Sequence, residues 1–308
     1  MDLSWLVLLA VFGLQNAVPI GIGAQGELIT EKSGILNIGL YGSMAIPAFA
    51  AAATNLALAP VLGKESAYAG LLAAMVTGAA INFVFAVLST KLHVDQVIAG
   101  IGINIFAVGI TAVFLERFYT LDGTPNGNQL APLFSITGVA QSLRINISPL
   151  MAAMFILPLL VYLFLGRTKL GLHIRAVGEN PTAAEAAGVD VTWVRIVATS
   201  IGGMLLGLGG AFLTVDYNLN FVPDYSQAIF PAFIALAAVI AGGWKPSYVL
   251  GVSILFGVTE ALRPVLAVSS TQGYLFTALP YIVTVAVLGI ASKRLRPPAA
   301  LGLPYKKE

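Results

Sequence analysis

The chain has 308 residues and no cysteine, which excludes disulfides, thiolate metal sites, iron–sulfur clusters and a cysteine nucleophile. It has two histidines, His93 and His173, and neither lies in a carboxylate cluster at metal-ligand spacing. Charge is scarce as well. Only 10% of residues are charged and 58% are hydrophobic, against about 25% and roughly 45–50% in soluble domains. So few charges cannot cover a water-facing surface, so lipid must be the solvent for much of the chain. The mean hydropathy of +0.89 agrees. The same composition excludes a disordered chain and a nucleic-acid binder, and a net charge of +2 is too small to imply a polyanionic partner. There is no G-x-x-x-x-G-K-[ST], G-x-S-x-G or H-E-x-x-H; Gly63-Lys64-Glu65 lacks the first glycine and the hydroxyl residue of a phosphate loop. The chain is therefore expected to be neither an enzyme nor a carrier of its own metal, cofactor or ATP site.

What the sequence does have is long apolar runs. A helix rises 1.5 Å per residue and must cross about 30 Å of hydrocarbon, so about 20 apolar residues make a span. Nine candidates qualify: 3–24, 34–60, 67–90, 96–116, 148–166, 194–216, 227–243, 247–268 and 274–291. The fold class expected is an all-α polytopic membrane protein of about nine helices, with eight and ten also allowed. It forms a single transmembrane domain, 1–308. Met1-Asp2 has no basic flank, and Gln15, Asn16 and Pro19 interrupt the first apolar run, so this run reads as a retained span. The second, 34–60, is too long and too rich in Gly and Pro for one clean helix and reads as a broken one.

The basic residues give an orientation. If the tail 292–308 is cytosolic, alternation puts the loop 167–195 inside and 117–147 outside. Twelve of the sixteen Lys and Arg residues then fall inside, leaving Lys64, Arg117, Arg144 and Arg263 outside with the N-terminus. The external segment, rich in Gly, Pro and Asn, is expected to form short surface elements. Within the eighth span, Glu260 and Arg263 are three apart and are expected to pair.

The stretch YGSMAIPAFAAAA at 41–53 resembles YSQAIFPAFIALA at 225–237. At one offset Tyr41, Pro47, Ala48, Phe49, Ala51 and Ala53 match Tyr225, Pro231, Ala232, Phe233, Ala235 and Ala237. In this topology the first copy runs outward and the second inward, which is the pattern of an inverted-topology repeat. Shared Ala-rich composition is the alternative.

The internal loop reads LGLHIRAVGENPTAAEAAGVDVTWVRI from Leu170. Thr182 to Ala187 favours helix, Asn180-Pro181 suits its start and Gly188 its end. The small residues Ala183, Ala184, Ala186 and Ala187 would let another protein approach closely; a plain amphipathic connector is the alternative.

Two segments carry a resemblance. Arg175, Gly178, Asn180, Pro181, Ala183, Ala184, Glu185, Ala187 and Gly188 lie in a stretch that resembles the cytoplasmic loop of ABC importer permeases of the branched-chain amino acid, simple-sugar and nucleoside branch. Gly26 to Gly42 (GELITEKSGILNIGLYG) is similar to the G-E-x-x-x-E-[KR]-x-G-x-x-N-[IL]-G-x-E-G run of nucleoside-type permeases. Tyr41 departs from that run, which has Glu there. The resemblance spans nearly the whole chain. It implies a type II-like ABC importer permease forming half of a nucleoside pathway, whose internal loop couples to a cytosolic two-domain ATPase. It further implies a second homologous permease and an extracytoplasmic substrate-binding lipoprotein.

Polar side chains within spans are costly and are expected to face the bundle interior or a water-filled path. They are Gln15, Asn16, Gln25, Asn37, Asn82, Gln96 and Asn104, whose amides suit a nucleobase or ribose. The alternative is interhelical hydrogen bonding, worth about 0.6 kcal/mol per pair. Phe49, Tyr41 and Phe233 are candidates for stacking on a base, with packing as the alternative for each. The glycines 202, 203, 207, 209 and 210 let helices approach closely. Rival readings are import of branched-chain amino acids or simple sugars on the same architecture, and a stand-alone secondary transporter. The last has thin support, since Glu260 is the only strong candidate for an intramembrane carboxylate in this reading.

Overall fold

In the computed structural model, residues 3–137, 144–223, 225–266, 282–283, 285–286, 289 and 296–305 are described, the side chains of 3–4, 136–137, 144–145, 225–230 and 263–266 excepted. Most of the ninth expected span, and the side chain of Arg263, the expected partner of Glu260, thus lie outside the described residues.

Ten α-helices account for most of the described chain: α1 Leu3–Lys32, α2 Leu40–Leu62, α3 Ser66–Thr90, α4 Gln96–Phe118, α5 Pro149–Arg167, α6 Lys169–Glu179, α7 Pro181–Ala186, α8 Val191–Phe212, α9 Tyr225–Ala241 and α10 Pro246–Leu266. A two-stranded antiparallel ladder, β1 Phe134–Thr137 with β2 Arg144–Ile147, pairs Phe134 with Ile147 and Ser135 with Asn146. A π-helical turn, Leu213–Tyr217, continues α8.

Local chemistry explains the helix ends. Asp95, Ser148, Thr168, Asn180 and Asp190 each accept a backbone N–H of the first turn of α4, α5, α6, α7 and α8. Pro149 and Pro181 open α5 and α7, where a missing N–H costs nothing. The longest apolar helical stretch, Leu40–Thr90, has 51 residues. A straight helix of that length would be about 77 Å long, far more than a bilayer. The 3₁₀ turn Gly63–Glu65 folds it back. A Cβ on Gly70 would stand 2.7 Å from Ala51 O, so α2 and α3 lie flank to flank.

The expected break in the second span falls before the helix. Residues 33–39 are irregular, whereas α2 runs unbroken through Pro47. The first helix also runs on to Lys32, past the expected end at 24. Glu27, Thr30 and Glu31, which fall between the first two expected spans, are fully buried.

α8 is the central helix, and small residues put it there. A Cβ on Gly202 would stand 2.6 Å from Gly26 O, and one on Gly26 2.4 Å from Gly202 O. The same reciprocity holds between Gly203 and Gly78, at 2.4 Å and 2.3 Å. Only hydrogen fits at these crossings, so α8 lies directly on α1 and α3. The outer faces of α3, α4 and α5 expose large apolar side chains such as Val76, Ile98, Ile105 and Leu159. In water such a surface would be an association hazard; against lipid it is solvated.

Candidate functional site

The irregular stretch 33–39 sits inside the helix bundle. Backbone at that depth must find partners within the protein, and the amides singled out in the sequence supply several of them. Gln96 Oε1 accepts Leu36 N–H at 2.7 Å. Asn37 Oδ1 accepts Gly39 N–H at 2.8 Å. Asn104 uses both ends of its amide: Nδ2 donates to Ile38 O at 3.0 Å, and Oδ1 accepts Gly42 N–H at 2.9 Å. Asn37 Nδ2 donates to Asn82 Oδ1 at 3.0 Å, and the same oxygen accepts the Ser43 hydroxyl at 3.2 Å. Asn82 Nδ2 closes the network on Gly78 O at 2.9 Å. Asn37 and Asn82 have no exposed surface. In this conformation these side chains face one another and the backbone, which is the interhelical bonding alternative realised.

Gln25 serves a second joint. Its Nε2 donates to Pro246 O at 2.9 Å, and the Trp244 indole N–H donates to the Glu31 carboxylate. Both bonds tie the α9–α10 turn to α1. Trp244 adopts φ +54, a left-handed conformation that a bulky residue holds only when its surroundings fix it. Gln25 Oε1, Glu27 Oε2 and Glu31 Oε1 have no hydrogen-bond partner among the described residues, which leaves this joint spare capacity for water.

The other candidates sit elsewhere. Phe49 is the hub of an aromatic cluster, with ring centroids 5.4 Å from Phe221 and 6.1 Å from Phe114. Phe233 is exposed on α9 at 41%. Tyr41, where the family run has Glu, is buried in the apolar core beside Met44 and Ala45. Asn16 is half-buried on α1. Gln15, also half-buried, lines a cavity of about 70 Å³ at the far end of α8, together with Gln129, Asn146, Ser148, Asp216 and Tyr217.

At the opposite end lies the loop 167–195. The short helix expected at 182–187 is α7, capped by Asn180 Oδ1 on Ala183 N–H at 3.0 Å and ended by Gly188 at φ +87. An amphipathic helix, α6, precedes it, and the sequence reading missed it. Burial narrows the face available to a partner. Arg175, Ala183, Ala186, Ala187 and Gly188 are exposed, and Glu185 is partly so. Ala184 is 5% exposed and packs in the apolar cluster that includes Ile174, Val191 and Val194. Gly178 is buried too; a Cβ there would stand 2.1 Å from Lys32 O. These two residues hold the loop to the bundle and do not face outward.

The sequence reading also missed the lacing of this end. Arg195, one of the twelve basic residues counted as internal, is 2% exposed and donates from Nε to Ser33 O and from Nη1 to Leu303 O, both at 3.2 Å. Ala300 N–H donates to Gly178 O at 2.9 Å and Gly302 N–H to Gly34 O at 3.0 Å. The Tyr305 hydroxyl donates to the Glu185 carboxylate. Residues 296–305 thereby join α6 and α7 to the stretch after α1. Beside them a cavity of about 360 Å³ is lined by Glu185, Gly188, Val189, Asp190, Thr192 and Tyr305. No group of His, Asp and Glu placed to hold a metal occurs among the described residues.

Several helices long and apolar enough to cross a bilayer, packed through glycines around an irregular, amide-satisfied core, define a polytopic membrane protein. The chain belongs to the family of the branched-chain amino acid transport system permease component, whose model matches residues 9–288. It is 32% identical to the guanosine ABC transporter permease protein NupQ of Bacillus subtilis, covering 96% of this chain and 95% of that one. It is 29% identical to the nucleoside ABC transporter permease protein NupC of Lactococcus lactis, covering 94% of each. It is also 29% identical to a putative glucose ABC transporter permease protein, TsgC13, of Haloferax volcanii, covering 96% of each.

Proposed function

We propose that this chain is a transmembrane permease subunit of an ABC importer and forms half of a nucleoside pathway. The observation that carries the reading is likeness over nearly the full length of both chains to permeases named for guanosine and nucleosides. Such subunits are not enzymes; ATP is bound and hydrolysed by the partner. The partners are a cytosolic two-domain ATPase, a second homologous permease and an extracytoplasmic lipoprotein that delivers substrate.

The chain crosses the membrane nine times, with the N-terminus outside and the tail 292–308 in the cytosol. Support comes from the sharing of one end by α6, α7 and residues 296–305, where the basic residues concentrate. The inverted repeat relates α1–α2–α3 to α8–α9–α10. Three features support it. Gly26 and Gly202 make a reciprocal close contact between α1 and α8, the first helices of the two halves. The α3·α8 crossing at Gly78 and Gly203 has its counterpart at α1·α10, where a Cβ on Gly257 would stand 2.4 Å from Gly13 O. Irregular stretches, 33–39 and 218–223, precede α2 and α9 in the two halves.

Coupling follows from the lacing. The ATPase seats α7 by its exposed face, Ala183, Ala187 and Gly188. A displacement of α7 passes through Gly178 to Lys32, and through residues 296–305 and Arg195 to Ser33 and Gly34. These lie at the start of the stretch 33–39, whose two neighbours α1 and α2 must shift against α8 for the pathway to open alternately to each side. The hydrogen bonds of Asn37, Asn82, Gln96 and Asn104 are the ones such a shift would exchange.

The test is copurification. The tagged chain, expressed with a two-domain ATPase and a second permease of this type, should recover both as one complex. Recovery of the chain alone, with uptake under an ion gradient and no ATP, would favour the stand-alone transporter. Import of a simple sugar on the same architecture is the alternative supported by the likeness to the putative glucose permease.

A further inference from the structure

The cavity at the far end of α8 has no part in the amide network, the α9–α10 joint or the lacing of the tail. It is built around a backbone irregularity. A π turn widens the helix and shifts the register of the residues after it, and such turns gather at functional sites. Here the turn Leu213–Tyr217 brings Asp216 and Tyr217 to the cavity wall. Gln129 Nε2 donates to Asp216 O at 2.9 Å and so fixes the turn from the 117–147 segment. Ser148 and Gln129 line the cavity beside Asp216; the Ser148 oxygen accepts Met151 N–H at 3.2 Å, and its proton is available to donate. Gln15 enters from α1 and Asn146 from β2, where Asn146 Oδ1 accepts the Ser135 hydroxyl at 2.8 Å. A half-buried carboxylate thus shares a cavity with amides and a hydroxyl from three separate segments, α1, the stretch around Gln129 and residues 146–148.

The lining selects the ligand group: the cavity is small, about 70 Å³, and its wall is mostly polar, which suits two adjacent hydroxyls. A carboxylate accepts from both hydroxyls of a vicinal diol, and the Gln15 amide can both donate and accept. At the rim the Tyr217 ring is 39% exposed and is held in orientation by the Phe212 ring, with centroids 6.1 Å apart and planes 23° from parallel. An exposed, oriented aromatic face beside a polar cup suits a planar heterocycle attached to the diol-bearing sugar.

We infer that the cavity formed by Gln15, Asp216, Ser148 and Gln129, with Tyr217 at its rim, is a subsite for the vicinal diol of a nucleoside's ribose. This rests on the nucleoside-importer reading and adds a location and a recognition chemistry to it. A simple sugar offers the same diol without the heterocycle, so the experiment must separate the two.

The complete importer, in liposomes with ATP and its binding lipoprotein, is assayed for uptake of a nucleoside and of its 2′,3′-dideoxy analogue, with galactose as competitor. The variants are Asp216→Ala and Gln15→Leu, each checked for recovery of the intact complex. Using one lipoprotein throughout cancels its own selectivity from the comparison with wild type. The expected result is at least a tenfold fall in the nucleoside-to-analogue uptake ratio in both variants, with no competition by galactose. Should Asp216→Ala fail to assemble, Gln15→Leu decides. An unchanged ratio in an intact complex overturns the subsite and leaves the importer standing. Competition by galactose as strong as by nucleoside overturns the assignment to ribose. Absence of ATP-dependent nucleoside uptake by the wild type overturns the importer reading, and the subsite with it.

Discussion

Arginine at Ala183 should separate docking from folding. Ala183 is exposed on α7, and its neighbour Ala184 is 5% exposed within an apolar cluster. An exposed substitution to a good helix former changes stability by no more than about 0.5 kcal/mol. Arginine at Ala184 would instead have to bury its charge or displace α7, at a cost of several kcal/mol. If α7 seats in a groove of the ATPase, a guanidinium at Ala183 must be desolvated there or hold the surfaces apart. A loss of about 1.4 kcal/mol of association is tenfold in affinity. The assay is titration of the ATPase onto the purified permease pair in detergent, alongside a thermal melt. Ala183→Arg should bind the ATPase at least tenfold more weakly with an unchanged melt. Ala184→Arg should lower the melting temperature. Unaltered affinity for both Ala183→Arg and Ala187→Arg would refute the docking face.

The packing sets three further outcomes. Asn82→Ala leaves Asn37 Nδ2 and the Ser43 hydroxyl without their shared acceptor, so it should cost about 1–3 kcal/mol; a melt without that loss would show that the network contributes nothing. Gly203→Val forces a side chain into a crossing where even a Cβ would meet Gly78 O at 2.4 Å. It should destabilise the bundle by about 1–3 kcal/mol or more, read as lower yield of folded protein. Arg195→Ala frees Ser33 O and Leu303 O. Residues 296–305 should then become protease-sensitive and more ATP should be hydrolysed per substrate imported; protection equal to wild type would contradict the lacing.

The sequence made the helices legible because span length and apolarity are local properties. Asn180-Pro181 and Gly188 marked α7 for the same reason, since caps and left-handed ends are written in single residues. The amides were located but their work was not. Hydropathy says that Asn37 and Asn82 must find partners, and only the fold shows that the partners are each other and the backbone of 33–39. Span boundaries misled at Glu27 and Glu31, which fall between the first two expected spans and are buried in α1. Their carboxylates meet groups more than two hundred residues away or at the irregular stretch, as in Trp244 with Glu31, and no local pattern carries such a pairing. Arg195 counts only as an internal basic residue in the sequence because its acceptors are backbone carbonyls, which leave no trace in composition. Asp216 was overlooked because a π turn has no sequence period of its own.

The most direct test of the account is transport by the reconstituted complex. The chain is placed in liposomes with its second permease and two-domain ATPase, and the binding lipoprotein is supplied outside. The account predicts uptake of labelled guanosine that requires ATP on the ATPase side, is competed by other nucleosides, and is untouched by leucine or galactose. Uptake by this chain alone under an ion gradient, or ATP-dependent uptake that leucine or galactose competes and nucleosides do not, would contradict it.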